Sequence, residues 1–149
     1  MSLSRFLVVA FCAFAGASAY AQLNVTDAWV RGTVPGQRAT GAFMKLAPTS
    51  DGTLVAAGSS VAATVEIHEM KMEGGVMKMR AIDRLPLRKG RIVTFAPGGF
   101  HIMLMDLKAP INAGDAIPIA LTVEDASGRR HRVDVVATAR PLGATHGRH

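Results

Sequence analysis

Thioether and imidazole side chains crowd into one stretch of this chain. The stretch runs from His68 to Met105. It reads H-E-M-K-M-E-G-G-V-M-K-M at one end and H-I-M-L-M at the other. Six of the eight methionines lie here (Met70, Met72, Met77, Met79, Met103, Met105), with two of the five histidines, His68 and His101. Neutral imidazole and thioether sulfur together are donors for a soft metal ion, Cu(I) above all. Methionine alone is an adaptable core filler. Here, however, Val, Ile and Leu alternate with the methionines and already supply an aliphatic face. The joint pattern points to a metal site.

The same residue types exclude other metals. Thioether is a poor zinc ligand, and calcium and magnesium require oxygen. A blue-copper electron-transfer site needs a cysteine beside two histidines. The only cysteine, Cys12, lies in a segment read as a leader that is removed. Cu(I) is the ion that fits, held and passed on rather than cycled between oxidation states.

The elements that must position these donors are strands. Hydrophobicity alternates with period two almost throughout, broken by Gly and Pro. Strands are predicted at Leu23–Arg31, Gly41–Leu46, Leu54–Ala57, Ala63–Met70, Val76–Ile82, Arg91–Phe95, Phe100–Met105, Ile117–Glu124 and His131–Ala139. Leu85 to Gly90, with Pro86, reads as a polar break, and Pro118 suggests an edge strand or a late start. Eight or nine short strands at this spacing indicate an all-β antiparallel sandwich or Greek-key barrel.

Within this frame His68 to Met79 forms a hairpin. A two-residue loop at Glu73-Gly74 sets Met72 against Gly75, Met70 against Met77, His68 against Met79 and Glu69 against Lys78. A longer loop would shift that register. His101 and Met103, at i and i+2, share one face of a later strand. If that strand folds back beside the hairpin, His68, Met79, His101 and Met103 converge. Met70, Met77 and Met105 are then secondary or alternative donors.

Residues 1–21 have a basic Arg5, an apolar core from Phe6 to Ala15, and small residues at Ala17, Ala19 and Ala21. This is the pattern of a signal peptide, cleaved after Ala21 or, alternatively, after Ala19. Export to the periplasm is expected, with no stable membrane insertion after cleavage. Residues 22–140 form one domain, and 141–149 a mobile tail. Of 17 basic and 11 acidic residues, removal of Arg5 leaves 16 against 11, a net charge of +5. Arg80, Arg84, Arg88, Lys89 and Arg91 cluster on what reads as a solvated face; the sharper alternative is steering toward an acidic protein partner. Nucleic acid is not an expected partner, since the cluster has no interleaved aromatics. No nucleophile–base pair, phosphate loop or paired carboxylates accompany the donors, so no enzyme activity is expected.

These residues resemble those of the PCuAC family of periplasmic copper chaperones. The family signature is His, ten residues, Met, twenty-one residues, His, one residue, Met. His68, Met79, His101 and Met103 match it at every spacing. The flanking A-W-V-R (Ala28–Arg31), G-V-M-K-M-R (Gly75–Arg80) and P-G-G-F-H-I-M-L-M (Pro97–Met105) are similar too. The resemblance covers about Leu23 to Ala139. The loop Ala47–Gly52 lacks the usual Asn, and Asp106 stands where Gly is common. The resemblance implies a cupredoxin-like fold and one Cu(I) on those four side chains. It also implies delivery to the dinuclear copper centre of cytochrome c oxidase, alongside Sco-type proteins. The protein is expected to be a monomer. Alternatives are periplasmic copper buffering or resistance, a cupredoxin-like electron carrier, and a metal-free β-sandwich scaffold. Some members carry a His- and Met-rich tail with a second copper; here only His146 and His149 are available for such a Cu(II) site.

Overall fold

The computed structural model describes residues 23–143. The proposed signal peptide and its Cys12, and the tail histidines His146 and His149, lie outside those residues. Among the described residues there are ten strands: β1 Leu23–Arg31, β2 Ala39–Pro48, β3 Gly52–Gly58, β4 Ala62–Glu73, β5 Val76–Ala81, β6 Leu85–Leu87, β7 Val93–Phe95, β8 His101–Leu107, β9 Ala116–Asp125 and β10 Arg130–Arg140. Their order across the sheet is β5-β4-β8-β2-β1-β10-β9-β3-β6, with β7 also paired to β2. The all-β, cupredoxin-like class is as expected.

Among the described strands, the strand-to-strand pairing is antiparallel with one exception. β1 and β10 run parallel, with Trp29 opposite Thr138 and Arg31 opposite Arg140. Alternation predicts strands but not their direction, so this pairing was not readable from the sequence. The alternating side chains meet in one apolar core that includes Met44, Leu46, Leu54, Phe95, Ile102, Leu104, Ile119 and Leu121. Met44 is fully buried there. It fills the packing role that the methionines of the His68–Met105 window do not.

Three local expectations are corrected. Leu85–Leu87 is a strand, not a break: Leu85 and Leu87 point into the core and Pro86 points outward. Pro is tolerated there because β6 ends the sheet order. β9, by contrast, is an interior strand between β10 and β3. Pro118 fits because β3 ends at Gly58, opposite Ala120, leaving Pro118 with only Val136 of β10 across from it. The β4–β5 register also differs, as described next.

Candidate metal centre

The β4–β5 hairpin turns at Gly74-Gly75, both with positive φ (57° and 80°). Two positive φ values are what a type I′ two-residue loop needs, and glycine adopts them without a Cβ penalty. The loop therefore sits one residue later than expected, and each cross-strand partner moves by two. Met70 faces Met79, Met72 faces Met77, Glu69 faces Arg80 and His68 faces Ala81. Glu69 pairs with Arg80, at 3.0 Å, rather than with Lys78. A two-residue shift preserves parity, so His68, Met70, Met77 and Met79 still share one face.

The histidines meet across another pair of strands. β8 returns between β4 and β2, placing His68 directly opposite His101 and Glu66 opposite Met103. On the other side of β8, Met103 faces Gly41. The imidazole centroids are 5.5 Å apart at 62°. This is the fold-back that the convergence of donors requires. Its alternation is also as expected: Ile102 and Leu104 are fully buried, while Met103 and Met105 are only partly so.

Each ring is held by an acceptor at one nitrogen. His68 Nε2–H donates to Glu66 Oε2 at 2.7 Å. His101 Nδ1–H donates to the Gly99 carbonyl at 3.2 Å. Because carboxylate and carbonyl oxygens only accept, these contacts set which nitrogen carries the hydrogen when each ring is neutral, Nε2 in His68 and Nδ1 in His101. The lone pairs are then on His68 Nδ1 and His101 Nε2. His68 Nδ1 is buried without a hydrogen-bond partner. A buried polar atom left unsatisfied is costly in a protein with no ligand, and a metal ion would remove that cost. Orientation of ligating imidazoles through their second nitrogen is the usual arrangement at metal centres.

The loop between β7 and β8 supplies one of these acceptors. Gly99 N–H donates to Ala96 O, and Gly99 O also accepts from Met70 N–H at 3.2 Å. One carbonyl thus ties the end of β4 to the His101 ring. Burial holds the His101 imidazole below its ordinary value of 6.5; the Gly99 bond opposes this shift and nearby His68 adds to it. The shift favours the neutral ring, the form a metal ligand must take.

A cleft of about 320 Å³ opens here, lined by Met70, Met79, His101, Met103, Phe43 and Arg31 among others. His68 borders it through its ring contact with His101. Of the four predicted principal donors, Met79, His101 and Met103 line the cleft and His68 stands beside it. Met70 joins them, directly across from Met79. Met77 lies one rung further out, opposite Met72, and Met105 lies beyond Met103, between Thr64 and Ala39. Neither of these two lines the cleft.

The cleft also holds residues that the sequence reading passed over. Phe43 stacks on buried Trp29 at 4.5 Å and approaches the His101 ring at 6.4 Å. Arg31 lies over Phe43 at 5.5 Å, and Arg140 over Trp29 at 4.9 Å. Glu66 could have been singled out, since Glu66 and His68 are separated by two and share a strand face. The aromatic–arginine stack depends on the β1–β2 and β1–β10 pairings and has no local signal.

Comparison with known proteins adds the lineage. The family profile described as "Putative lipoprotein LpqE-like" matches residues 23–135. The chain belongs to the LpqE-like family. This LpqE-like chain is 37% identical over 108 residues to putative lipoprotein Lxx21020 of Leifsonia xyli subsp. xyli, covering 70% of this chain and 64% of that protein. It thus spans less than two thirds of that relative's length. Among solved structures, the copper-bound PCuAC domain from PmoF2 superposes with TM-score 0.65 at 21% identity, covering 81% of this chain and 94% of the domain, a likeness of fold. The solution structure of CuI-DR1885 from Deinococcus radiodurans is 30% identical with TM-score 0.57, covering 85% of this chain and 83% of that one.

Proposed function

We propose that this LpqE-like protein carries one Cu(I) ion on His68, Met79, His101 and Met103 in the periplasm. It delivers the ion to a copper-accepting protein. The observation that carries the reading is the pair of facing imidazoles, each anchored at one nitrogen, with His68 Nδ1 buried and without a hydrogen-bond partner. The donor set is electrically neutral, and Arg31 lines the same cleft. An uncharged ligand set beside a fixed cation penalises a divalent ion more than a monovalent one. Thioether sulfur favours the soft ion as well. The likeness to a copper(I)-bound protein and to a copper-bound PCuAC domain supports the same reading.

Met79 is half exposed, so an incoming thiolate or imidazole reaches the ion by displacing that thioether first. Stepwise displacement suits a carrier. Cytochrome c oxidase assembly, with a Sco-type protein and the oxidase's copper-binding subunit as acceptors, is the destination we favour. The lipoprotein relative supports placement in the cell envelope. Anaerobic competition against a colorimetric Cu(I) chelator tests the site. Alanine at any of the four positions is expected to weaken binding; parent-like affinity in all four variants would overturn the assignment. Transfer from loaded protein to an apo oxidase copper domain and to an apo Sco-type protein tests the destination.

A further inference from the structure

The β4–β5 hairpin carries more thioethers than the histidine site uses. Met72 and Met77 face each other one rung beyond Met70 and Met79. Ile82 N–H donates to Ile67 O, which makes Ile67–Ile82 a hydrogen-bonded pair of this ribbon. Pairs alternate along an antiparallel ladder, so Met70–Met79 and Met72–Met77 are both non-hydrogen-bonded pairs. Side chains approach most closely in that type of pair. Two-residue steps put both rungs on the His68 face, about 6.8 Å apart along the strand. The flexible side chains can close that gap.

These methionines do not fill a core. Met72 is 59% exposed and Met77 44%. The opposite face of the ribbon carries Lys71, Lys78 and the Glu69–Arg80 ion pair. The hairpin is thus charged on one side and lined by thioethers on the other, and the lined side leads into the cleft.

We infer that Met72 and Met77, with Met70 from the next rung, form a second, weaker site for a soft monovalent ion, placed to pass it inward to the histidine centre. The chemistry is ligand exchange among neutral thioethers, without change of oxidation state. Met70 faces the outer pair along β4 and Met79 across the ribbon, so the ion moves one rung at a time. The inward step rests on the copper-carrier reading; the outer site does not, since it uses no histidine.

Silver(I), a redox-inert soft ion, is the probe. Titration of the full chain labelled with 13C at the methionine methyls is expected to shift the Met79 and Met103 resonances with the first equivalent of Ag(I), and those of Met72 and Met77 with the second. In Met72→Leu/Met77→Leu the second ion is lost, while the first still binds with parent affinity. In His68→Ala/His101→Ala the tight ion is lost, and the Met72 and Met77 shifts persist. Unmoved Met72 and Met77 resonances at silver excess, or retention of the second ion by the leucine variant, would overturn the outer site. Failure of the histidine variant to lose the tight ion would instead overturn the carrier assignment. Should the histidine variant not fold, the leucine variant and the parent titration still decide the outer site.

Discussion

Replacement of Glu66 by alanine is expected to weaken Cu(I) binding by about tenfold, although Glu66 is not itself a proposed ligand. The Glu66 carboxylate accepts from His68 Nε2–H at 2.7 Å and thereby leaves the lone pair on the buried Nδ1. Loss of such an outer partner at a metal site costs roughly 10–100-fold in affinity. The Glu66 side chain is 43% exposed, whereas that of His68 is 12% exposed. Water can take over part of the acceptor role, which places the effect at the lower end, about 1.4 kcal/mol. Glu66→Gln keeps an acceptor oxygen without the charge and should fall between the variant and the parent. Anaerobic chelator competition gives the affinities. A double-mutant cycle with His68→Ala isolates the cause: if Glu66 acts through His68, the two losses are not additive. Parent affinity in Glu66→Ala, or full additivity with His68→Ala, would refute the orienting role.

Three further outcomes are expected. The imidazole of His101 is held below 6.5 when folded, so the unfolded chain binds more protons in the window just below that value, and apo stability should fall as pH drops through it; chemical denaturation from pH 7.5 to about 5 should show a decline that His101→Gln flattens. A Cβ at Gly41 would stand 2.9 Å from the Phe43 ring, so Gly41→Ala should displace that ring from its place beside His101 and weaken Cu(I) binding in the same chelator assay while the fold persists by circular dichroism. Leu121 is fully buried in the core, and Leu121→Ala should cost about 2–5 kcal/mol in urea unfolding.

Much of the fold and the clustering of the candidate donors could be read from the sequence, because both depend on period-two alternation. Ile102 and Leu104 enter the core while His101 and Met103 turn the other way, as any strand with that spacing must. What alternation cannot give is partner identity. The hairpin register hinged on which two residues form the loop, and Gly74-Gly75 supplies two positive φ values where Glu73-Gly74 would place a glutamate in the left-handed region. Since the slip was by two residues, the candidate donors kept the expected face while their partners changed. β6 was missed because Pro86 masks two inward leucines. Asp106 shows the same limit in another form. It holds φ 51°, a conformation that glycine adopts without strain, and pairs with Arg38 at 3.5 Å. The aromatic–arginine stack behind His101 arises from long-range pairing of β1 with β2 and β10.

Two imidazoles and two thioethers are proposed to hold one monovalent copper. X-ray absorption at the copper edge of the loaded, reduced protein tests it most directly. The predicted spectrum is that of Cu(I) with mixed nitrogen and sulfur coordination, losing nitrogen in His101→Ala and sulfur in Met103→Leu. A coordination shell without sulfur, or one unchanged by both substitutions, would contradict it.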